Sequence, residues 1–322
     1  MLDQQFPEII SLIKQSRHYA LKAVNVALID LYWNVGEYIS NNIKNKNWGD
    51  SVVEQLALYI VQNDPSLKGF STKNLWRMKQ FYETYVDFPI LSSLLRELSW
   101  THNLTIFSRC KSTEEQKFYL QHCKIENYSV RELDRQISAS LYERKMLNKP
   151  VLSKMLGELY NTDNQIFKDN YVFEFLNLPD GYSEKDLQNA LIVELKNFML
   201  EMGKDFLFVA KNYRLQVGNQ DFYIDLLFFH RSLQCLVAFE LKSDRFNPEH
   251  LGQLNFYLEA LDRDVKNSNE NPSIGILLCK DKDTEVVEYA LNRSLSPTMV
   301  ADYKMKLPDK KLLQQKLHEL LR

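Results

Sequence analysis

The sequence predicts two domains of different class: an all-α N-terminal domain and an α/β C-terminal domain whose elements run αβββαβ around a mixed central sheet. Three features point there. At 322 residues the chain exceeds what one hydrophobic core usually organises. From residue 8 to about 146 the apolar residues recur at helical spacing, and alternating β-branched runs are almost absent. After Gly181 one helical segment is followed by three extended runs in succession. Domains are therefore expected at 1–150 and 165–322, with the boundary inside 148–165.

In the first domain, helices are expected over 5–45, 50–63, 72–87, 113–123 and 129–146. Asn47-Trp48-Gly49 and Asn63-Asp64-Pro65 supply breaks, because Asn, Asp and Gly favour turns and proline disfavours helix in the residue before it. The stretch around Pro89 reads as irregular. Ser129 and Glu132 have capping-box spacing at the start of the last helix. Residues 147–181, with Pro150, Pro179 and Gly181, show no clear period.

In the second domain Ser183 can cap a helix that runs through Met202 to a stop at Gly203. The extended run FLFVAKNYRLQV (206–217) leads through the turn Gly218-Asn219-Gln220 into DFYIDLLFFH (221–230), and a break at Arg231-Ser232 leads into LQCLVAFELK (233–242). A helix at 248–263, a buried strand SIGILLCK at 273–280, a helix at 283–292, a short strand at 299–305 and a terminal amphipathic helix complete the order αβββαβαβα.

The composition, 45% hydrophobic and 25% charged with 9 Gly and 9 Pro, is that of an ordinary globular protein and excludes a mostly disordered chain. The net charge of −2 hides an asymmetry, since residues 1–160 carry 20 Lys+Arg against 17 Asp+Glu, and 161–322 carry 20 against 25. That excess in the first half does not by itself imply nucleic-acid binding, which responds to local basic patches. Cys110, Cys123, Cys235 and Cys279 are scattered, and the last two sit in apolar runs where buried free thiols are expected, so a reduced compartment fits. The start MLDQQFPEII lacks the basic-then-apolar order of a signal peptide, and no apolar run approaches the roughly 18 residues needed to span a bilayer. A cytoplasmic protein without a membrane partner is expected.

The chemistry concentrates in the second domain. Alternate residues of a strand share a face, so Leu236, Ala238, Glu240 and Lys242 point one way. Asp225 lies among Phe222, Ile224, Leu226, Leu227 and Phe228, where an unpaired carboxylate costs several kcal/mol and requires a neutralising partner. On the preceding helix Leu187, Leu191, Glu194 and Phe198 follow i, i+4, i+7, i+11, so Glu194 interrupts an apolar stripe and is expected to face the sheet. Oxygen ligands converging where strands end can hold a hard cation such as Mg²⁺, with Mn²⁺ as a substitute; Asp225, Glu240 and Glu194 are the candidates. Such an ion polarises a phosphodiester, and Lys242 beside it can orient water or stabilise developing charge. An ExK pair on a strand is also commonly a plain surface ion pair, and an acidic cluster can be a structural network.

These residues resemble the PD-(D/E)XK nucleases: an αβββαβ core with Asp225 on the second strand and Glu240-Leu241-Lys242 on the third, although Ile224 stands where the family has proline. More closely, NYRLQVGNQDFYIDLLFFHRSLQCLVAFELKSDRFNPEHLGQLNFYLEALD is similar to the YhcG-like bacterial proteins, and LYWNVGEYI, WGDSVVEQLA, GFSTKNLWRMKQFY and LSWTH extend the similarity over nearly the whole chain. The resemblance implies a restriction-endonuclease-like fold, a catalytic Asp225, Glu240 and Lys242, a supporting role for Gln253 one turn before Tyr257, and phosphodiester hydrolysis in DNA. Gln253 reads equally well as a solvated glutamine.

The resemblance also implies DNA binding by the helical domain. Lys73, Arg77 and Gln80 share a face opposite the stripe Leu75, Met78, Tyr82 and Tyr85, and Arg131 and Arg135 lie opposite Val130, Leu133 and Ile137. Basic faces on amphipathic helices are more often only solvated. Trp100-Thr101-His102 reads as core packing around a satisfied imidazole, and Cys110, His122 and Cys123 lack zinc-site spacing. Cutting both strands of a duplex calls for two sites, so a homodimer is expected. The rival to a metal-dependent endonuclease is a catalytically silent nuclease fold that binds nucleic acid or assembles complexes.

Overall fold

The computed structural model describes residues 6–45, 48–160 and 166–320; residue 5 of the first expected helix and Asn47 of the first break lie outside them. The chain divides into two compact units, 1–137 and 138–322.

The first unit is helical, with α1 (Phe6–Lys44), α2 (Asp50–Asn63), α3 (Thr72–Tyr85), α4 (Ser92–Glu97), α5 (Trp100–Arg109), α6 (Thr113–Glu126) and α7 (Val130–Ser138). Ser71, Ser99 and Ser112 cap α3, α5 and α6 by accepting from the backbone N–H three residues on. The stretch around Pro89 is not irregular: Pro89–Leu91 forms a 3₁₀ turn that feeds directly into α4, and α5 follows. Both helices are too short for their period to stand out. Tyr32, Ile39, Val53, Ala57, Leu75 and Met78 form a core with Trp48, Trp76 and Trp100 against it. Gly36 permits it, since a Cβ there would lie 2.1 Å from the Met78 carbonyl oxygen.

The helix expected over 129–146 is two helices. Ser140 adopts a left-handed conformation (φ 52°), which stops α7 and starts α8 (Leu141–Leu147) in a new direction. Residues 138–150 then join the second unit, not the first. Buried Arg144 bonds the Asn170 carbonyl at 2.6 Å and stands 3.5 Å from Glu201, which also meets Lys168 at 3.3 Å and the Val172 N–H at 3.1 Å. Gln314 bonds Glu143 from the terminal helix.

The second unit continues with α9 (Lys154–Tyr160), β1 (Asn170–Val172), α10 (Glu184–Val193), α11 (Leu195–Met202), β2 (Phe206–Val217), β3 (Gln220–His230), β4 (Cys235–Leu241), α12 (His250–Ala260), β5 (Asn271–Cys279), α13 (Thr284–Leu291), β6 (Thr298–Lys304) and α14 (Lys310–Leu320). Among the described residues the sheet has the order β1-β6-β5-β4-β3-β2, parallel from β1 to β4 and antiparallel across β4-β3-β2. It is the mixed αβββαβ sheet the sequence predicts; α9 and β1 are additions from the stretch without a period. Leu187, Leu191 and Phe198 pack one face with Leu226, Phe228, Val237 and Phe239. Leu251, Leu254 and Leu258 pack the other with Leu227, Leu236 and Ala238.

Candidate active site

Three elements bring the site together. Asp225 projects from β3 on the same face as Leu227, and Glu240 from β4 on the same face as Leu236 and Ala238, as the alternation predicts. Lys242 follows β4, and its backbone is pinned twice, by its N–H to the Leu278 carbonyl at 2.8 Å and by the Tyr303 hydroxyl donating to its carbonyl at 3.1 Å. Its ammonium donates to Glu240 Oε1 at 3.1 Å and to Glu184 Oε2 at 3.3 Å. Asp225 Oδ2 accepts from the Leu241 N–H at 2.8 Å, linking the two half-motifs across the strands.

The electrostatics follow from burial. Glu240 is 4% exposed; loss of solvation, then repulsion from Asp225, push its carboxyl up to about 7 although Lys242 opposes the shift. Burial also raises Asp225, against the Leu241 N–H and the Lys242 charge that lower it. Lys242 loses solvation too, yet Glu240 and Glu184 hold it above its ordinary value and so charged. Burial and the charges of Glu240 and Asp225 raise the phenol of Tyr257 on α12, and exposed Gln253 bonds that hydroxyl.

Glu240 Oε2 is buried and has no hydrogen-bond partner. A buried carboxylate oxygen left bare beside a second raised carboxyl is what a divalent cation would relieve, and Mg²⁺ is commonly bound through one or two carboxylates with water filling the remaining positions. The pair Asp225 and Glu240 fits such an ion. No group of three His, Cys, Asp or Glu among the described residues is placed to hold a metal.

The structure does not bring Glu194 to this pair. The helix expected over 183–202 breaks at Glu194 (φ −96°, ψ 29°), so the stripe changes phase there, and the Glu194 carboxylate accepts from Asn197 at 2.7 Å. The carboxylate that reaches the site is Glu184, in the first turn of α10, whose N-terminus is fixed by a capping box between Ser183 and Asp186. Gln188, one turn on, is 4% exposed and donates to the Asp225 carbonyl at 2.9 Å. Sequence reasoning missed both. Their i, i+4 spacing beside the buried Leu187 and Leu191 was the available signal.

The basic candidates of the helical unit lie on its surface to different degrees. Lys73 and Arg131 are exposed and Arg77 is half-buried. Arg135 departs from the expected open face: its side chain is 17% exposed and pairs at 3.1 Å with Glu132. The Glu132 carboxylate also accepts from Gln136, while the Glu132 N–H donates to Ser129 Oγ. Trp100 Nε1 donates to Asn74, and His102 is held by Ser99 and the Tyr128 carbonyl, with burial keeping its imidazole below the usual value. All four cysteines are buried, and none forms a disulfide.

Comparison with known proteins finds a match for each part of the chain. The model of the YhcG PDDEXK nuclease domain matches residues 164–318, and that of the DUF1016 N-terminal domain matches residues 8–144. An Escherichia coli (strain K12) protein named "Putative nuclease YhcG" is 32% identical over 96% of this chain and 92% of its own length. The chain belongs to the YhcG family of PD-(D/E)XK nuclease-domain proteins. Its second unit accordingly has the restriction-endonuclease-like fold, and the helices α1 to α7 fall within the residues that the DUF1016 N-terminal model and its flanks cover. Among solved structures, similarity extends to the EndoMS–dsDNA2 complex (16% identity, 41% of this chain and 48% of that one, TM-score 0.27). It extends also to a repair endonuclease from Pyrococcus abyssi (14% identity, 40% and 50%, TM-score 0.26). No helix among the described residues is long and apolar enough to cross a membrane.

Proposed function

We propose that this YhcG-family chain is a divalent-metal-dependent endonuclease that hydrolyses phosphodiester bonds in DNA, with Mg²⁺ as its ion and Mn²⁺ as a substitute. The observation that carries the reading is the bare, buried Glu240 Oε2 beside Asp225, with the Lys242 ammonium 3.1 Å from the other Glu240 oxygen. Asp225 and Glu240 would hold the ion, which supplies Lewis acidity toward a phosphoryl oxygen and lowers the pKa of water. Lys242, charged and pinned at its backbone, orients water and stabilises the negative charge that develops at phosphorus. Gln253 steadies Tyr257 at the edge of the site. Lys73, Arg77 and Arg131 are the cations through which the helical unit would meet phosphates, and a homodimer would present one site to each strand. Four buried cysteines outside any disulfide suit a reducing cytoplasm.

The test is cleavage of duplex DNA, single-stranded DNA and RNA with Mg²⁺ and with chelator, using the wild type and Lys242→Ala. Cleavage of DNA that needs the ion and the lysine supports the reading; metal-independent cleavage overturns it.

A second reading, a silent nuclease fold that binds nucleic acid or assembles complexes, is favoured by one observation: the Lys242 ammonium pairs with both Glu240 and Glu184, as in a structural ion-pair network. It predicts salt-sensitive DNA binding with no heat of Mn²⁺ binding.

A further inference from the structure

Resting on the metal-site reading above, we propose that Gln188 is a positioning residue for Asp225, held in its working orientation by Asn212. The Gln188 amide nitrogen has two hydrogens and three acceptors around it: Asn212 Oδ1 at 2.8 Å, the Asp225 carbonyl at 2.9 Å and Asp225 Oδ1 at 3.4 Å. It thus bonds the backbone of the residue it steers while touching its carboxylate. Asp225 Oδ2 is held by the Leu241 N–H at 2.8 Å, and Gln188 fixes the residue chiefly through its carbonyl, with the longer 3.4 Å contact closing on Oδ1.

Asn212 is the less ordinary half of the device. In β2, Lys211 pairs with Leu226 and Tyr213 with Ile224, so Asn212 lies opposite Asp225. There it adopts φ 49°, a left-handed conformation inside a strand that asparagine tolerates better than other residues with a side chain. Left-handed backbone at a single strand position costs free energy, and such strain gathers where geometry is used. Here the departure coincides with the side-chain oxygen that receives the Gln188 amide. That bond fixes which end of the Gln188 side chain faces Asp225: an amide turned the other way would set its oxygen against the Asp225 carbonyl and carboxylate. Gln188 is 4% exposed, so its amide is largely shielded from water, although Asn212 itself is exposed.

The experiment is Mn²⁺ calorimetry and thermal melting on the full chain for wild type, Gln188→Leu, Asn212→Gly and Asp225→Asn, followed by cleavage kinetics. Gln188→Leu should weaken Mn²⁺ binding by roughly tenfold to a hundredfold, the range for groups that orient metal ligands. Asn212→Gly accepts the left-handed backbone and removes the side-chain acceptor; a smaller loss of Mn²⁺ affinity in the same direction is expected, with melting showing that the chain stays folded. In cleavage, both should raise the Mn²⁺ concentration for half-maximal rate and leave the KM for DNA unchanged. If Gln188→Leu does not fold, Asn212→Gly alone decides. Wild-type Mn²⁺ affinity in both variants, with binding lost in Asp225→Asn, overturns the positioning role and leaves the metal site standing. Unchanged binding in Asp225→Asn overturns the metal-site reading, and this role with it.

Discussion

Glu240 gives one carboxylate oxygen to the Lys242 ammonium at 3.1 Å and keeps the other buried without a partner. The lysine alone therefore does not satisfy the glutamate. Lys242→Met should keep the aliphatic packing and remove the charge. Cleavage should fall by roughly 10²–10³-fold, as when a preorganised charge-stabilising group is lost. Single-turnover kinetics at saturating Mg²⁺ measure this, with circular dichroism to show that the fold persists.

The raised Glu240 carboxyl has a pH consequence. Its ordinary value is 4.5 and its folded value about 7, so between these the folded state binds more protons than the unfolded one. Stability of the metal-free protein should accordingly fall as pH rises from 4.5 to 7, and raised Asp225 adds to the same trend. Urea midpoints across this range, in chelator, should show the decline, and Glu240→Gln should reduce its slope. A cation competes with the proton, so Mn²⁺ affinity should increase with pH through the same window.

Glu201 anchors the second unit, meeting Arg144, Lys168 and the Val172 N–H while fully buried. Glu201→Ala leaves two buried cations without their shared counter-ion and should cost about 3–5 kcal/mol. Equilibrium urea unfolding reads this directly. Mn²⁺ affinity of the remaining folded protein should be unchanged, because Glu201 serves the fold and not the site.

In the first unit, Gly36→Ala should cost about 1–3 kcal/mol, the range for overpacking, because the added carbon meets the Met78 carbonyl and α1 must move off α3. Thermal melting followed by tryptophan fluorescence would detect it, since Trp48, Trp76 and Trp100 surround that core.

The strands and the shared face of Glu240 and Lys242 were legible because successive side chains of any strand point to opposite faces, even in β4, which is buried throughout. Glu240 and Lys242 could be named for that reason. Glu194 was misleading because a stripe extrapolated through one long helix ignores a break, and the break falls on Glu194 itself. The division of 129–146 at Ser140 was hidden for a related reason: serine carries no turn signal of the strength of glycine or proline, and tertiary bonds from Arg144 decide the new direction. Glu184 and Gln188 went unseen because a polar i, i+4 pair at a helix start looks the same whether it meets solvent or the strands that carry Asp225 and Glu240.

The most direct test of the metal site is anomalous diffraction from crystals soaked in Mn²⁺. A peak between Asp225 and Glu240, within coordination distance of Glu240 Oε2, is the expected result. A fully soaked crystal with no peak there, from protein that still cleaves DNA, would contradict the account.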